Sequence, residues 1–341
     1  MLLLIFRRFY QTTEVGEWYF KMRLPILLNR SGFTQLLRKS FSTQFQSTPF
    51  ILEKLAHRCV IRVSGDEALP FLQGLITNDM RHLEEGAPSM YCMFLNTKGR
   101  VIFDSIIYQE NQGSLLVECD TRAEVQLKKH LTVYKVRRKI VIESCGFPVY
   151  GAFGDNAEES VQKLTKGNEN LVACRDPRVK ELGFRIIARN GELESTEEQN
   201  YKRLRFSLGV GEGVEELPSG NCFPMEANCD YMHGVSFHKG CYIGQELTAR
   251  THHTGVVRKR LMPLFFEPRK SLPALESPIL DPQGKNVGKL RGLCESGVGI
   301  ALLRVTEALR SADNLQIGDL NVKTHRPQWW PSELSKDRPE F

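Results

Sequence analysis

The chain has 341 residues, 41% of them hydrophobic and 25% charged, with a formal net charge of +6. That length and balance fit a globular protein of two or three domains and exclude disordered and fibrous classes. No apolar stretch approaches the roughly 18 residues of a membrane-spanning helix, so a soluble chain without membrane insertion is expected.

Residues 1–50 carry Arg7, Arg8, Lys21, Arg23, Arg30, Arg38 and Lys39 against only Glu14 and Glu17. Most of the net positive charge therefore lies in the first 50 residues. A basic, acid-poor start with Ser, Thr and scattered leucines, best developed from Met22 to Leu28 and from Leu36 to Ser42, predicts a mitochondrial transit peptide over residues 1–45 and a mature protein in the matrix. Met22 is a second possible start. Arginines interrupt every apolar core that a secretory signal would need. The rest of the chain is near neutral, which argues against a basic nucleic-acid-binding face.

From Phe50 the pattern turns globular. Arg58–Val63 predicts a strand ending at Ser64-Gly65, and Asp66–Gly74 a short helix capped by Ser64 or Asp66. Tyr91–Asn96 and Val101–Tyr108 predict a hairpin turning through Thr97-Lys98-Gly99-Arg100, followed by a strand over Ser114–Cys119, a basic amphipathic helix over Thr121–Tyr134 and a β-branched run at Ile140–Ile142. This alternation predicts an α+β layer.

The acidic, Gly-containing stretch Arg189–Gln199 is the expected domain boundary, with a helix over Tyr201–Leu208 beyond it. Gly209–Gly213 lacks dinucleotide-loop spacing and reads as a turn. After Arg260, short apolar runs and the turn Asp281-Pro282-Gln283-Gly284 predict a small all-β domain, onto which His325–Pro331 packs as an aromatic clip.

Nine cysteines stand at irregular spacings with no C-x-x-C pair. That disfavours a self-contained zinc or four-cysteine iron–sulfur site and fits a reducing compartment. One of them differs from the rest. Lys239-Gly240-Cys241-Tyr242-Ile243-Gly244-Gln245-Glu246 sets Cys241 between glycines that free the backbone for a bend, with Lys239, His238 and Arg250 as sources of the positive charge that favours thiolate. The plain alternative is a buried apolar filler. Glu246 has a similar alternative, pairing with Arg250 one helical turn on, and Tyr242 is expected to pack.

These residues, with Val63-Ser64-Gly65-Asp66, Phe71–Gly74, Thr77-Asn78-Asp79, Phe94-Leu95-Asn96, Lys98-Gly99-Arg100, Pro224-Met225-Glu226 and Gly234–Cys241, resemble the aminomethyltransferase-like (GcvT/YgfZ-type) folate-binding superfamily from Phe50 to Pro331. Leu247–His253 resembles its animal mitochondrial members, which act in iron–sulfur cluster assembly. The resemblance implies a three-domain α+β ring around a channel, ending in a small C-terminal β-barrel. Its parts would be a folate-binding-like domain over 50–190, a second α+β segment with the cysteine motif over 195–260, and a barrel over 261–331. It also implies a tetrahydrofolate-like pocket, for which Asn78, Asp79, Asn96, Lys98 and Arg100 are the candidates.

Two departures argue against aminomethyl transfer. The transferases lack a cysteine at position 241 and generally carry two adjacent acids where this chain has Phe103-Asp104. A single thiolate supplies one of about four ligands of an iron–sulfur cluster. The expected arrangement is a cluster shared between Cys241 and an A-type scaffold partner, acting late in the maturation of [4Fe-4S] proteins; a folate-dependent one-carbon transferase is the alternative. His233, His238, His252 and His253 are further candidate ligands, although clustered histidines more often serve hydrogen bonding.

Overall fold

A computed structural model describes residues 49–111, 113–196 and 199–332. The expected transit peptide lies outside the described residues. In chain order come β1 (Ile51–Lys54), β2 (Arg58–Ser64), α1 (Ala68–Gln73), α2 (Arg81–Glu84), β3 (Ser89–Leu95), β4 (Val101–Asn111), β5 (Ser114–Asp120), α3 (Glu124–Lys135) and β6 (Val141–Ser144). There follow β7 (Val149–Phe153), α4 (Ala157–Thr165), β8 (Leu171–Arg175), β9 (Phe184–Ala188), α5 (Asn200–Leu208), α6 (Gly213–Glu216) and α7 (Gln245–Thr254). The last elements are β10 (Lys259–Phe265), β11 (Pro278–Leu280), β12 (Asn286–Cys294), β13 (Val298–Arg304), α8 (Val305–Arg310), β14 (Leu315–Ile317) and β15 (Leu320–Val322).

The strands form three sheets, ordered β3-β4-β5-β2-β6, β1-β7-β9-β8 and β10-β13-β12-β11-β14-β15. Every residue of β3 is buried because the first sheet has a core on each face. The two-residue period of a strand sends Tyr91, Met93 and Leu95 into one core and Met90, Cys92 and Phe94 into the other. Leu127 and Leu131 of α3 lie one turn apart and join Phe71 and Leu72 of α1 in that second core. Each fully buried leucine contributes roughly 1.5–3 kcal/mol, which outweighs the lack of a side-chain cap on either helix.

Several boundaries differ from expectation. The cap of α1 is Glu67, not Ser64 or Asp66, because Ser64 remains paired with Ser114 in the ladder. The amphipathic helix opens with a 3-10 turn, Thr121–Ala123, in which Asp120 accepts from the Arg122 amide. Residues 50–190 form two sheets, since the chain lays β1 beside β7 before building the first sheet. Residues 189–196 of the acidic stretch do not run as a free linker: the Thr196 amide donates to the Leu52 carbonyl at 2.9 Å and the Lys54 amide to the Thr196 carbonyl at 3.3 Å. Between 200 and 258 the described residues form α5, α6, α7 and connecting turns, with no strand among them.

Gly209 ends α5 in the left-handed conformation. The C-terminal clip packs as expected: Trp330 is buried in the core of the third sheet, while the indole N–H of Trp329 donates to the Leu208 carbonyl at 2.8 Å. Among the described residues no helix is long and apolar enough to cross a membrane.

Candidate functional site

All nine cysteines lie within the described residues, and Cys241 is the exposed one. It stands in the loop leading into α7, and contacts on both sides hold that loop. Upstream, the Ser236 amide donates to the Thr77 carbonyl at 3.0 Å, and the Thr77 hydroxyl donates to the Gly234 carbonyl at 2.6 Å. The Phe237 ring stacks on His252 with centroids 3.5 Å apart.

Lys239 holds the centre. Its ammonium donates to the carbonyls of Gln73, Ile76 and Asn78 at 2.6, 2.8 and 2.6 Å, where the chain leaves α1. Burial lowers its pKa to about 8. The sequence suggested Lys239 as a charge beside the thiol; the structure commits that charge to the backbone of α1 and the turn after it. The Tyr242 ring is buried 4.9 Å from the same ammonium, and its amide donates to the Gln245 side chain at 3.0 Å.

Downstream, Gly244 has φ +77° and lies against the β3–β4 hairpin. A Cβ there would meet the Asn96 carbonyl oxygen at 2.3 Å, and one on Gly99 would meet the Gly244 carbonyl oxygen at 2.9 Å. Only glycine at both positions allows this approach. Gly240 differs, with nothing within 4 Å of its would-be Cβ. The thiol thus protrudes from a loop tied to α1 and to the hairpin, beside exposed His238 and followed by exposed Glu246 in the first turn of α7.

The expected pocket residues are used differently. Asn78 donates to the Tyr91 and His233 carbonyls at 2.7 and 2.8 Å and accepts from the Asp79 amide, leaving no free polar atom. Burial opposes ionisation of Asp79, but Arg81 outweighs it and holds the carboxyl down at about 2. The Asn96 side chain accepts from the Lys98 and Arg100 amides within its own turn. Arg100 lies over Phe223 at 4.5 Å and donates to the Asn221 carbonyl. Lys98 is exposed. Asn78 and Asp79 are spent inside the fold and the Asn96 side chain braces its own turn, so these three are not free to hold a pterin, while the Lys98 side chain stays exposed.

Asp104 is equally committed, accepting from Arg58 at 3.2 Å and from the Gly213 amide at 3.0 Å. It belongs to a buried ion cluster that the sequence analysis missed. Arg58 pairs with Glu118 at 2.7 Å, Arg178 with Asp176 at 2.7 Å and Glu212 at 2.8 Å, Arg205 with Glu216 at 2.6 Å, and Arg185 with Glu212. Burial penalises the Glu212 charge, yet Arg185, Arg178 and Arg205 hold its carboxyl far below the ordinary range. The visible signal was Glu212 itself, a lone acid inside Gly209-Val210-Gly211-Glu212-Gly213. Phe103 points to the opposite core, against Phe94 and His130.

Among the described residues no three His, Cys, Asp or Glu side chains converge as a metal site. His252 is engaged with Phe237, and His253 lies edge-on to His252 at 5.2 Å.

Residues 258–332 match the family described as CAF17, C-terminal beta-barrel domain. The chain is 36% identical over 317 residues to the mitochondrial iron-sulfur cluster assembly factor IBA57 of Mus musculus, covering 82% of this chain and 85% of that protein. To the protein of the same name from Homo sapiens it is 36% identical over 308 residues, with the same coverage of 82% and 85%. The glycine cleavage system aminomethyltransferase T of Bartonella henselae superposes with a TM-score of 0.65 at 15% identity, over 82% of this chain and 86% of that one, so the α+β aminomethyltransferase-like fold is shared.

Proposed function

The chain belongs to the family of the mitochondrial iron-sulfur cluster assembly factor IBA57, and on that premise we propose that it works in the mitochondrial matrix late in cluster assembly, where Cys241 supplies one ligand to a cluster shared with an A-type scaffold protein. The observation that carries this reading is the exposed thiol on a loop tied at both ends. Thiolate is a strong ligand for cluster iron, and one thiolate is a quarter of the usual protein set. With no convergent donor group among the described residues, the other ligands come from the partner, and the cluster is cargo. Its transfer serves the maturation of [4Fe-4S] proteins.

The loop geometry suits exchange of that kind. The tethers on Phe237, Lys239 and Gly244 limit how far the thiol moves, which lowers the ordering cost of forming the shared site. Open space around Gly240 leaves room for a partner surface.

The test is Cys241→Ser, examined by anaerobic mixing with an iron-loaded A-type scaffold and by visible and Mössbauer spectroscopy. An exposed loop position tolerates the change within about 0.5 kcal/mol, so the variant keeps its melting temperature and fails to form the coloured complex. Full complex formation by the variant overturns the proposal, as does a large loss of thermal stability, which would make the thiol a packing residue.

A further inference from the structure

Away from the Cys241 loop, β2 and β5 each carry a cysteine at the same register position. Cys59 lies directly opposite Cys119, with the two sulfurs 3.6 Å apart. The Thr121 amide donates to the His57 carbonyl one register pair beyond Asp120 and Arg58. By the alternation of an antiparallel ladder, 59 and 119 are therefore a hydrogen-bonded pair with Cα atoms about 5.5 Å apart. That spacing falls inside the range of about 4.4–6.8 Å that a disulfide spans.

The two thiols differ in their surroundings. Cys119 is fully buried in the core beneath α3, whereas Cys59 is half-buried at its margin. The hydrogen bond between them favours the Cys59 thiolate and lowers its pKa, and the same contact together with burial pushes Cys119 up. One sulfur is thus suited to react first and the other to follow. Cys145, next door at the end of β6, packs against the other face of the sheet and does not compete.

We propose that Cys59 and Cys119 form a reversible oxidation site whose substrate is a hydroperoxide. The Cys59 thiolate attacks the terminal peroxide oxygen. A sulfur–oxygen bond forms, the O–O bond breaks, and the departing oxyanion takes a proton to leave as an alcohol, or as water when the substrate is hydrogen peroxide. The Cys119 sulfur then attacks the Cys59 sulfenic sulfur, forming the disulfide and expelling hydroxide, which leaves as water with the Cys119 proton. In sum two thiols and one hydroperoxide give one disulfide, one alcohol and one water, and a dithiol reductant restores both thiols.

The test uses the full chain carrying Cys241→Ser, so that the exposed thiol consumes no oxidant. Reduced protein is treated with hydrogen peroxide, the remaining thiols are alkylated, and the digest is analysed by mass spectrometry. Expected is loss of two thiols, a peptide pair joined through 59 and 119, and full recovery with dithiothreitol. Added Cys59→Ser abolishes the loss. Cys119→Ser, or Cys119→Ala should serine fail to fold in that core, leaves a Cys59 sulfenic acid that dimedone traps. Three results overturn the proposal: oxidation of Cys59 to sulfinic acid with Cys119 still free, a bridge joining any other pair, or persistence of the two-thiol loss in Cys59→Ser.

Discussion

Alanine at position 244 should cost about 2–5 kcal/mol of stability, while alanine at position 240 should cost less than about 0.5 kcal/mol. Both glycines flank Cys241, and from sequence they look equivalent. Gly244 has φ +77°, where an L-residue carries a penalty of about 1–2 kcal/mol. Its new Cβ would also lie 2.3 Å from the Asn96 carbonyl oxygen and 2.9 Å from the Leu95 Cβ. Those atoms belong to the backbone and first side-chain carbon at the end of a fully buried strand and cannot rotate away, so the hairpin and the turn before α7 must separate, an overpacking cost of about 1–3 kcal/mol. Gly240 meets nothing within 4 Å and is absent from the positive-φ residues. Urea denaturation of the two variants at unchanged slope measures the contrast, and complex formation with an iron-loaded A-type scaffold reports whether the thiol has been displaced. Gly244→Ala should lose both stability and complex, and Gly240→Ala should keep its stability. A Gly244→Ala variant that unfolds at the wild-type midpoint, or a Gly240→Ala variant as unstable as it, refutes the reasoning.

Two further predictions concern buried charge. With its folded carboxyl held at about 2 against an ordinary value of about 3.9, Asp79 stabilises the fold by about 2 kcal/mol above pH ~4, and that contribution disappears as the pH falls toward 2. The difference in urea midpoint between wild type and Asp79→Asn should therefore shrink across that window; a constant difference contradicts the ion-pair assignment. Glu212→Gln leaves Arg178, Arg185 and Arg205 short of one counter-charge in the interior and should cost about 3–5 kcal/mol. The exposed pair of Glu215 with Arg122 supplies the control, because Glu215→Gln should cost at most about 1 kcal/mol. Equal losses in these two variants would show that the cluster contributes no more than surface charge does.

The hairpin through Thr97–Arg100, the helix ending at Gly209 and the turn at Asp281–Gly284 were legible because each is set by local chemistry: φ preference, turn residues and two-residue alternation. The exposure of Cys241 was legible for the same reason, since glycines on either side of it disfavour a packed element. The roles given to Asn78, Asp79 and Lys239 were not. Whether a polar side chain meets a ligand or a neighbouring carbonyl depends on what lies across from it, and here those neighbours are Tyr91 and His233, Arg81 and the end of α1.

The sequence by itself determined the order of most elements, the family resemblance and the choice of Cys241 as the thiol to examine, because these depend on residue type and spacing along the chain. Tertiary structure alone decided that β1 pairs with β7, that Asp104 is bound by Arg58 and the Gly213 amide, and that Gly244, unlike Gly240, tolerates no side chain. It also decided that Cys59 meets Cys119. Each of these joins residues from 46 to more than a hundred positions apart or depends on what packs around them. Such contacts follow from strand register and from how two buried faces close on each other, and neither is written in any local window of sequence.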